Sequence, residues 1–279
     1  MKSYKIVFVL VIFCFLIMVT NAESFGSGSQ VNLSQVNYIK IGIFSDLHAN
    51  LPAIKAIMEK FTSEGCSEIY CLGDIIDIGP YPRETLKYLS QYNNIVYING
   101  NHELYNLNGV PKELYGKYEY IAMSLHSDWT RTQLKNFPTQ TFSTQPTELY
   151  VQLYGTKLYF VHWPLLNSCE QYPYKKVIKT PTSQQLSSLF DGVDADIIFY
   201  GHNHQALVKK IDNVTYVNPG SAGVSNNSKV SCCIVTVYEN GKYEIQSYQV
   251  EYPRSEVLKG FMTKQPLGWR YIWDKYYTY

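Results

Sequence analysis

Apolar positions in the first half of the chain alternate between the spacing of strands and that of helices. Short apolar runs predict strands at residues 38–44, 69–72 and 95–98, and helices are predicted between them at residues 51–64 and 82–90. Asn50 is suited to cap the first of these helices, and Pro52 fits its first turn. Alternation of this kind predicts a largely parallel sheet that is covered by helices.

The pattern changes near residue 149, where short strands separated by hairpin-like turns begin. The predicted strands are residues 150–154, 157–161, 197–200, 206–210, 215–217, 233–238 and 243–250. A helix is also expected around residues 121–135. The change indicates a second, more antiparallel sheet, and we expect an α/β fold in which a two-sheet β-sandwich, all in one domain, is flanked by helices.

The first 22 residues have the layout of a secretory signal peptide. Lys2 and Lys5 precede an apolar run at residues 6–19, and Ala22 is a small residue of the kind found at cleavage sites. The run is short for a membrane span, which needs about 20 residues, although an uncleaved signal anchor is the alternative. We expect a secreted or endomembrane-lumen protein with no stable membrane span after cleavage.

The remaining chain divides into three parts by composition. Residues 23–37 are rich in Ser, Gly, Asn and Gln and predict a flexible leader. The expected folded domain covers residues 38–250, and residues 251–279 form an aromatic C-terminal tail that either packs on the domain or offers a partner surface.

Charge and cysteine content narrow the class of protein further. Loss of Lys2 and Lys5 leaves 23 acidic residues against two fewer than the original 24 basic ones, so the formal net charge changes from +1 to about −1. Without a Lys/Arg cluster, nothing indicates a nucleic-acid-binding face. After cleavage an odd number of cysteines remains, so at least one is unpaired; Cys66 and Cys71 could form a local disulfide, or Cys71 could be a core residue.

Three glycosylation sequons matter only if the chain is exported. They begin at Asn32, Asn213 and Asn226. Asn213 is the best candidate, because Asp212 and Asn213 fit a hairpin turn between two predicted strands. A glycoprotein is therefore the expectation for the mature chain.

Metal-ligating side chains collect at the ends of the predicted strands. Of the six histidines, only His126 lies within a predicted helix, where it is interpreted as an ordinary residue. His202 and His204 are two positions apart, so on an extended segment they point to the same side. The candidates at strand ends are Asp46, His48, Asp74, Asn101, His102, His162, His202 and His204. One such residue could belong to an ordinary loop, but repeated placement favours a site at the carboxyl edge of a sheet.

The chemistry of this set indicates a catalytic metal site. Carboxylates and imidazoles suit Mn, Fe(II) or Zn, whereas Ca or Mg would call for oxygen ligands. A mixture of Asp, Asn and His without cysteine is typical of a catalytic site rather than a structural zinc site. A carboxylate shared by two ions would hold them about 3.5–4 Å apart, which suits displacement at phosphorus.

The order of these motifs resembles the calcineurin-like metallophosphoesterase superfamily. The resemblance extends over about residues 39–250, and the segments SDLHANLPA, CLGDIIDIGPYP and VNPGSAG are similar to its small, bacterial-type phosphodiesterase branch. The motifs that carry it are Asp46-Leu47-His48, Gly73-Asp74, Gly100-Asn101-His102-Glu103, His162 and Gly201-His202-Asn203-His204.

The resemblance implies a four-layer α/β/β/α fold and a site for two divalent metal ions. Manganese is expected, with zinc or iron as alternatives. Asp46, His48 and His204 would hold the first ion. Asn101, His162 and His202 would hold the second, Asp74 would bridge the two, and His102 would be catalytic, protonating the leaving oxygen or stabilising the phosphoryl charge.

The function implied is that of a secreted phosphoesterase acting on a small phosphate ester, either a phosphodiester or a nucleotide-like molecule. The alternatives are a non-catalytic interaction module on the same fold and a phosphomonoesterase or protein phosphatase. Relatives that act on phosphoproteins carry arginines where this chain has Ile78 and Asn99, so phosphoserine hydrolysis is less favoured. Trp163 follows His162 at a position where the family often has glycine. Its side chain either narrows the pocket, offers a ring face to an aromatic leaving group or simply packs in the interior.

Overall fold

The structure of the protein is a computed structural model that describes residues 37–166 and 172–278. The predicted signal peptide, the leader up to residue 36 and Cys169 lie outside the described residues. None of the helices within those ranges is long and apolar enough to cross a bilayer.

Ten strands in the described ranges form two sheets of five. In chain order they are β1 (Tyr38–Phe44), β2 (Glu68–Cys71), β3 (Ile95–Tyr97), β4 (Glu148–Leu153), β5 (Thr156–Val161), β6 (Ile197–Phe199), β7 (Leu207–Ile211), β8 (Val214–Asn218), β9 (Lys229–Tyr238) and β10 (Tyr243–Glu251). The first sheet has the order β10-β9-β1-β2-β3, and the second has the order β4-β5-β6-β8-β7. In each sheet three neighbouring strands are parallel: β1, β2 and β3 in the first, and β5, β6 and β8 in the second.

Seven α-helices accompany these strands in the described part of the chain. They are α1 (Leu51–Ser63), α2 (Pro82–Leu89), α3 (Asn101–Asn108), α4 (Lys117–Gln133), α5 (Ser183–Leu189), α6 (Arg254–Lys264) and α7 (Trp269–Tyr277).

Helix α1 shows how the sequence specifies these elements. The Asn50 side chain accepts a hydrogen bond from the backbone N–H of Ala53 at 3.1 Å, as expected of an N-cap. Its apolar face, which includes Ile54, Ile57 and Phe61, is fully buried against the first sheet. Burying one such side chain stabilises the fold by about 1.5–3 kcal/mol relative to leaving it exposed.

The two sheets pack face to face around a shared apolar interior. Tyr70 of β2 stacks on Phe160 of β5 with ring centroids 4.3 Å apart, and Phe160 stacks on Phe199 of β6 at 5.0 Å. Strands from both sides of residue 149 therefore contribute to one core. Helices α1, α2, α4, α6 and α7 cover the outer face of the first sheet, and α5 covers the outer face of the second. The predicted four-layer α/β/β/α sandwich is confirmed.

Two sequence-based expectations about the sheets were wrong. The strands predicted at residues 233–238 and 243–250 join the first sheet as β9 and β10, because β9 pairs antiparallel with β1. Strand β9 is buried on both faces, with Cys232 and Ile234 toward the helices and Cys233 and Val235 toward the second sheet. The second sheet is also no more antiparallel than the first, since in the described residues each sheet has two parallel and two antiparallel strand pairs.

The cysteines and the sequon turn can be placed as well. Cys66, Cys71, Cys232 and Cys233 are all free, so the possible bridge between Cys66 and Cys71 does not form, and Cys71 is a buried residue of β2. Asn213 lies in the exposed turn between β7 and β8, as expected of a hairpin.

Candidate metal centre

The candidate ligands converge at one edge of the sandwich, where parallel strands of both sheets end. Strands β1, β2 and β3 of the first sheet and β5 and β6 of the second run into the loops that carry them. Because the carboxyl ends of parallel strands share an edge, segments far apart in the chain meet there. The residues brought to this edge are Asp46, His48, Asp74, Asn101, His102, His162, His202 and His204.

Much of this loop backbone has a left-handed conformation, which is unfavourable for residues other than glycine. Such a conformation costs about 1–3 kcal/mol per residue and persists where the surrounding structure enforces it, often at functional sites. The predicted ligands with positive φ angles are Asp46 (55°), His48 (50°), Asp74 (55°), His202 (70°) and His204 (61°). These strained conformations lower the stability of the fold, and they direct the side chains toward the two clusters described below.

Two glycines permit the close approach of the loops. A Cβ atom at Gly100 would lie 2.2 Å from Oδ1 of Asp74, and one at Gly201 would lie 2.0 Å from the Ser45 hydroxyl. Any larger residue would push the loops apart. These glycines of the GNH and GHxH motifs are thus needed for packing.

The first cluster contains Asp46, His48 and His204, which offer ligand atoms within 4.8 Å of one another. The Nε2 atoms of His48 and His204 are 3.1 Å apart, and Nε2 of His204 is 3.4 Å from Oδ1 of Asp46. Two imidazole nitrogens and a carboxylate oxygen thus face one point, as a divalent transition metal requires.

The second cluster contains Asp74, His162 and His202, with the same convergence of ligand atoms. Nε2 of His162 lies 3.2 Å from Oδ2 of Asp74, 3.1 Å from Nδ1 of His202 and 3.0 Å from Oδ1 of Asn101. Oδ2 of Asp74 is also 3.9 Å from Nε2 of His48, which belongs to the first cluster. The Asp74 carboxylate therefore stands between the two clusters.

Backbone contacts fix the orientation of the candidate ligands. Nδ1 of His162 is 2.8 Å from the carbonyl of Leu72, so it can donate there and leave the Nε2 lone pair facing the centre. The backbone N–H of His202 donates to the Asp46 carboxylate at 3.0 Å, and the N–H of His102 donates to Oδ1 of Asp74 at 2.9 Å. The latter bond leaves Oδ2 of Asp74 for the site.

Opposed charges shift the pKa values of the cluster in different directions. Burial would raise the pKa of Asp46, but His204 and His162 together outweigh burial and hold that pKa below its usual range. Burial lowers the pKa of His202 to about 3, with His162 acting in the same direction. For His162, the carboxylates of Asp74 and Asp46 overcome burial and raise the pKa to about 9. Carboxylates that stay ionised next to buried histidines form a donor set that fits divalent cations.

His102 is oriented by a carboxylate that sequence reasoning did not single out. Its Nδ1 lies 3.0 Å from Oδ2 of Asp77, which is 1% exposed and belongs to neither cluster. Burial would lower the pKa of His102, but Asp74 and Asp77 together raise it. A carboxylate three residues after Asp74, at the same strand end, was the signal available in the sequence.

Glu103 is a second residue whose part was missed. It is fully buried, and its carboxylate accepts hydrogen bonds from the backbone N–H groups of Asp74, Ile75 and Gly100, each at 2.8 Å. It therefore ties the loop after β2 to the start of α3. The sequence showed the residue only as the last letter of its motif.

The segment VNPGSAG supports the loops from the second sheet. Asn218 donates to the carbonyl of Gly201 at 3.0 Å and to Oδ1 of Asn203 at 2.8 Å, and the Ser221 hydroxyl donates to the carbonyl of Asp46 at 2.8 Å. This segment thus holds the loops that carry ligands of the first cluster.

The positions where an arginine could have gripped phosphate are used for packing. Ile78 is 1% exposed in the core, and the Asn99 amide donates to the carbonyls of Phe142 and Gln145 at 2.6 and 3.2 Å. Trp163 is fully buried, with its ring 5.9 Å from that of Tyr200 and 5.6 Å from that of His202. It packs beneath His202 and offers no face to a leaving group.

Comparison with protein families gives one match that covers most of this fold. Residues 39–240 match the calcineurin-like phosphoesterase superfamily domain. The chain belongs to the calcineurin-like phosphoesterase superfamily. The family predicted from the motifs is therefore confirmed. In this phosphoesterase domain the loops at the strand ends carry the two clusters, each of which contains aspartate and histidine.

Relatives of this chain include two archaeal proteins. The chain is 27% identical over 229 residues to an uncharacterised protein of Methanocaldococcus jannaschii, and the alignment covers 76% of this chain and 87% of that protein. It is 23% identical over 184 residues to a phosphodiesterase of the same organism, covering 65% of this chain and 83% of that protein.

A solved structure has the same fold. The crystal structure of a metallophosphoesterase from Sphaerobacter thermophilus aligns with a TM-score of 0.62 at 21% identity. The alignment covers 82% of this chain and 95% of that one, so the similarity extends through both sheets of the phosphoesterase domain.

Proposed function

We propose that this chain is a dinuclear-metal phosphodiesterase that hydrolyses small phosphate esters. The observation that carries the proposal is the position of the Asp74 carboxylate between two clusters of histidine and carboxylate ligands. Membership of the phosphoesterase superfamily and the similarity to an archaeal phosphodiesterase support the reaction class.

Each proposed ligand has a place in this scheme. Asp46, His48 and His204 would hold one ion, and Asn101, His162 and His202 the other, with Asp74 shared; manganese is the expected metal, and zinc or iron would suit the same donors. When bound, the ions supply a water nucleophile that ionises near neutral pH and positive charge for the phosphoryl oxygens.

His102 would act on the leaving group. A ring nitrogen of His102 also lies within 4.8 Å of ligand atoms of His48 and Asp74, but each of the two clusters has three ligand residues without it, and its neighbour Asn101 faces the second. Asp77 holds its Nδ1, which leaves Nε2 as the proton-bearing atom toward the substrate side. A protonated imidazole in this position can donate a proton to the departing oxygen.

A preference for diesters is supported by the charges around the site. Within the described residues, no lysine or arginine forms an ion pair with Asp46 or Asp74; their partners are histidines. A diester carries one negative charge where a monoester carries up to two, so a site without an arginine fork suits the diester.

The test is metal reconstitution followed by a hydrolysis panel. Protein loaded with Mn, Zn or Fe should contain two ions per chain and should hydrolyse bis(4-nitrophenyl) phosphate faster than 4-nitrophenyl phosphate. The Tyr118→Ala variant is a suitable control, because this side chain is 79% exposed. Loaded protein that holds two ions yet hydrolyses no ester would favour the non-catalytic interaction module instead.

We further propose that the protein is exported and glycosylated. The basic start and apolar run of the N-terminal segment support export, and the exposed positions of Asn213 and Asn226 are compatible with glycan attachment. N-terminal sequencing of secreted material should give a start at Glu23. An intact Met1 on cytosolic protein would contradict the proposal.

A further inference from the structure

The C-terminal helix α7 lies beside the metal centre although it follows the segment that matches the family. The ring of Tyr276 is 6.3 Å from the ring of His204, a member of the first cluster. Helix α7 is held there by its buried residues Ile272 and Tyr277 and by an ion pair between Lys275 and Glu119 of α4. Tyr276 is therefore a fixed neighbour of the site.

A second pair of tyrosines stands near His102. The ring of Tyr105, on α3, is 5.1 Å from the ring of His102. Its hydroxyl is 3.1 Å from that of Tyr115, which joins the two side chains. Aromatic rings thus flank the centre next to the proposed acid and next to a ligand of the first cluster.

All three tyrosines have pKa values above the usual range. Burial is the main cause that raises the pKa of Tyr105, Tyr115 and Tyr276, and the charge of Asp74 raises each of them further. Tyr115 and Tyr276 also pack against the same apolar core of the first sheet. Tyr105 is 2% exposed and packs against neighbouring rings, so it supports the other two from within, whereas Tyr115 and Tyr276 are partly exposed and offer aromatic surface rather than charge.

Tyr276 retains the capacity to contact a ligand. Its side chain is partly exposed, and within residues 37–166 and 172–278 its hydroxyl makes no hydrogen bond. The Tyr172 and Tyr174 hydroxyls, in contrast, donate to the backbone carbonyls of Gly109 and Asn99.

We propose that Tyr276 and Tyr115, backed by the buried Tyr105, form an aromatic wall that receives the planar aromatic group of a phosphate ester, such as an aryl or nucleobase-bearing ester. Stacking on aromatic side chains stabilises such a group whatever its hydrogen-bonding pattern. The inference rests on the proposed function, because it takes the phosphoryl group to lie between the two metal clusters. Tyr276 would be the specificity residue that the C-terminal helix adds to the domain.

The test compares two non-hydrolysable ligands that share an anchor. Calorimetric titration of the manganese-loaded full-length protein would give the Kd values of phenylphosphonate and methylphosphonate. For Tyr276→Ala we expect phenylphosphonate to bind roughly 5- to 140-fold more weakly, the range found for lost stacking on an aromatic ring. The Kd of methylphosphonate should stay within about twofold, since it has no ring to stack.

Two further variants separate stacking from folding. Tyr276→Phe keeps the ring and should bind phenylphosphonate like wild type, while Tyr118→Ala removes an exposed tyrosine of α4 and should change neither Kd. Equal weakening of both ligands by Tyr276→Ala, or no weakening of either, would overturn the aromatic wall. Wild-type protein that holds two ions yet hydrolyses no phosphate ester would instead overturn the proposed function, and this inference with it.

Discussion

Replacement of Asp77 by asparagine tests whether the buried carboxylate behind His102 keeps that imidazole charged. Asp77→Asn preserves the shape of the side chain and an oxygen acceptor 3.0 Å from Nδ1 of His102, but it removes the negative charge. Because Asp77 belongs to neither ligand cluster, the metals should remain in place.

The expected loss follows from the strength of the hydrogen bond. A bond to a charged group contributes about 1.5–3 kcal/mol and a neutral one about 0.5–1.5 kcal/mol, so the difference is roughly 1–2 kcal/mol. In kcat this is a loss of roughly 5- to 30-fold on a substrate that needs its leaving group protonated. Since Asp77 helps to raise the pKa of His102, the variant should also lose activity at a lower pH than wild type as the imidazole deprotonates.

The assay compares two diesters that differ in leaving group. Wild type and Asp77→Asn would be measured on diphenyl phosphate, which releases phenolate, and on bis(4-nitrophenyl) phosphate, whose leaving group needs little protonation. The loss should be larger with diphenyl phosphate, and elemental analysis should show unchanged metal content. The same loss on both substrates, with an unshifted pH profile, would refute the reasoning; loss of metal would show that Asp77 supports the ligands.

Three other predictions concern the same region. Asp74→Ala should remove both ions, because its carboxylate faces both clusters, whereas His204→Ala should mainly weaken one; elemental analysis after reconstitution distinguishes these results from retention of both metals. His102→Ala should lower kcat by about 10²–10⁴-fold at nearly constant metal content, with a smaller loss for a nitrophenolate leaving group, as steady-state kinetics can test. Burial lowers the pKa of His126 from 6.5 to about 4 despite the nearby Asp77, so folding leaves it neutral where the unfolded chain binds a proton. The free energy of unfolding should therefore fall by up to about 3 kcal/mol between pH 6.5 and pH 4, because only the unfolded chain is protonated at this histidine in that range. Urea denaturation of the metal-loaded wild type should show this fall. An identical pH dependence in His126→Leu would contradict the assignment.

The ligand loops could be predicted from the sequence because each combines a buried strand with polar residues directly after it. The short apolar run before Gly201 and the run before Asp46 are signals of this kind, and they depend only on local spacing. The family resemblance then assigned each ligand to an ion. The structure brings the assigned residues together around Asp74, with His102 within the same distance of His48 and Asp74, and Asn101 beside His162.

The parts that could not be predicted depend on contacts between distant segments. Strand β9 reads like any short buried strand, and only its pairing with β1 places it in the first sheet. The pairing of Asp77 with His102 and the approach of Tyr276 to His204 also join elements far apart in sequence. Local periodicity carries no information about which of several strands or helices will be neighbours.

Each ligand cluster draws on both sheets, and this affects how metal binding is coupled to unfolding. Asp46 and His48 come from the first sheet and His204 from the second, while Asp74 and His162 are divided in the same way. The Asp46 carboxylate accepts a hydrogen bond from the backbone N–H of His202, a residue 156 positions further along the chain. Separation of the two sheets would therefore release an ion bound here. The same separation would expose the apolar interior that the sheets share. By thermodynamic linkage, metal should slow hydrogen exchange most for the amides of the central strands, which exchange only through global unfolding, and much less for those at the outer helix ends.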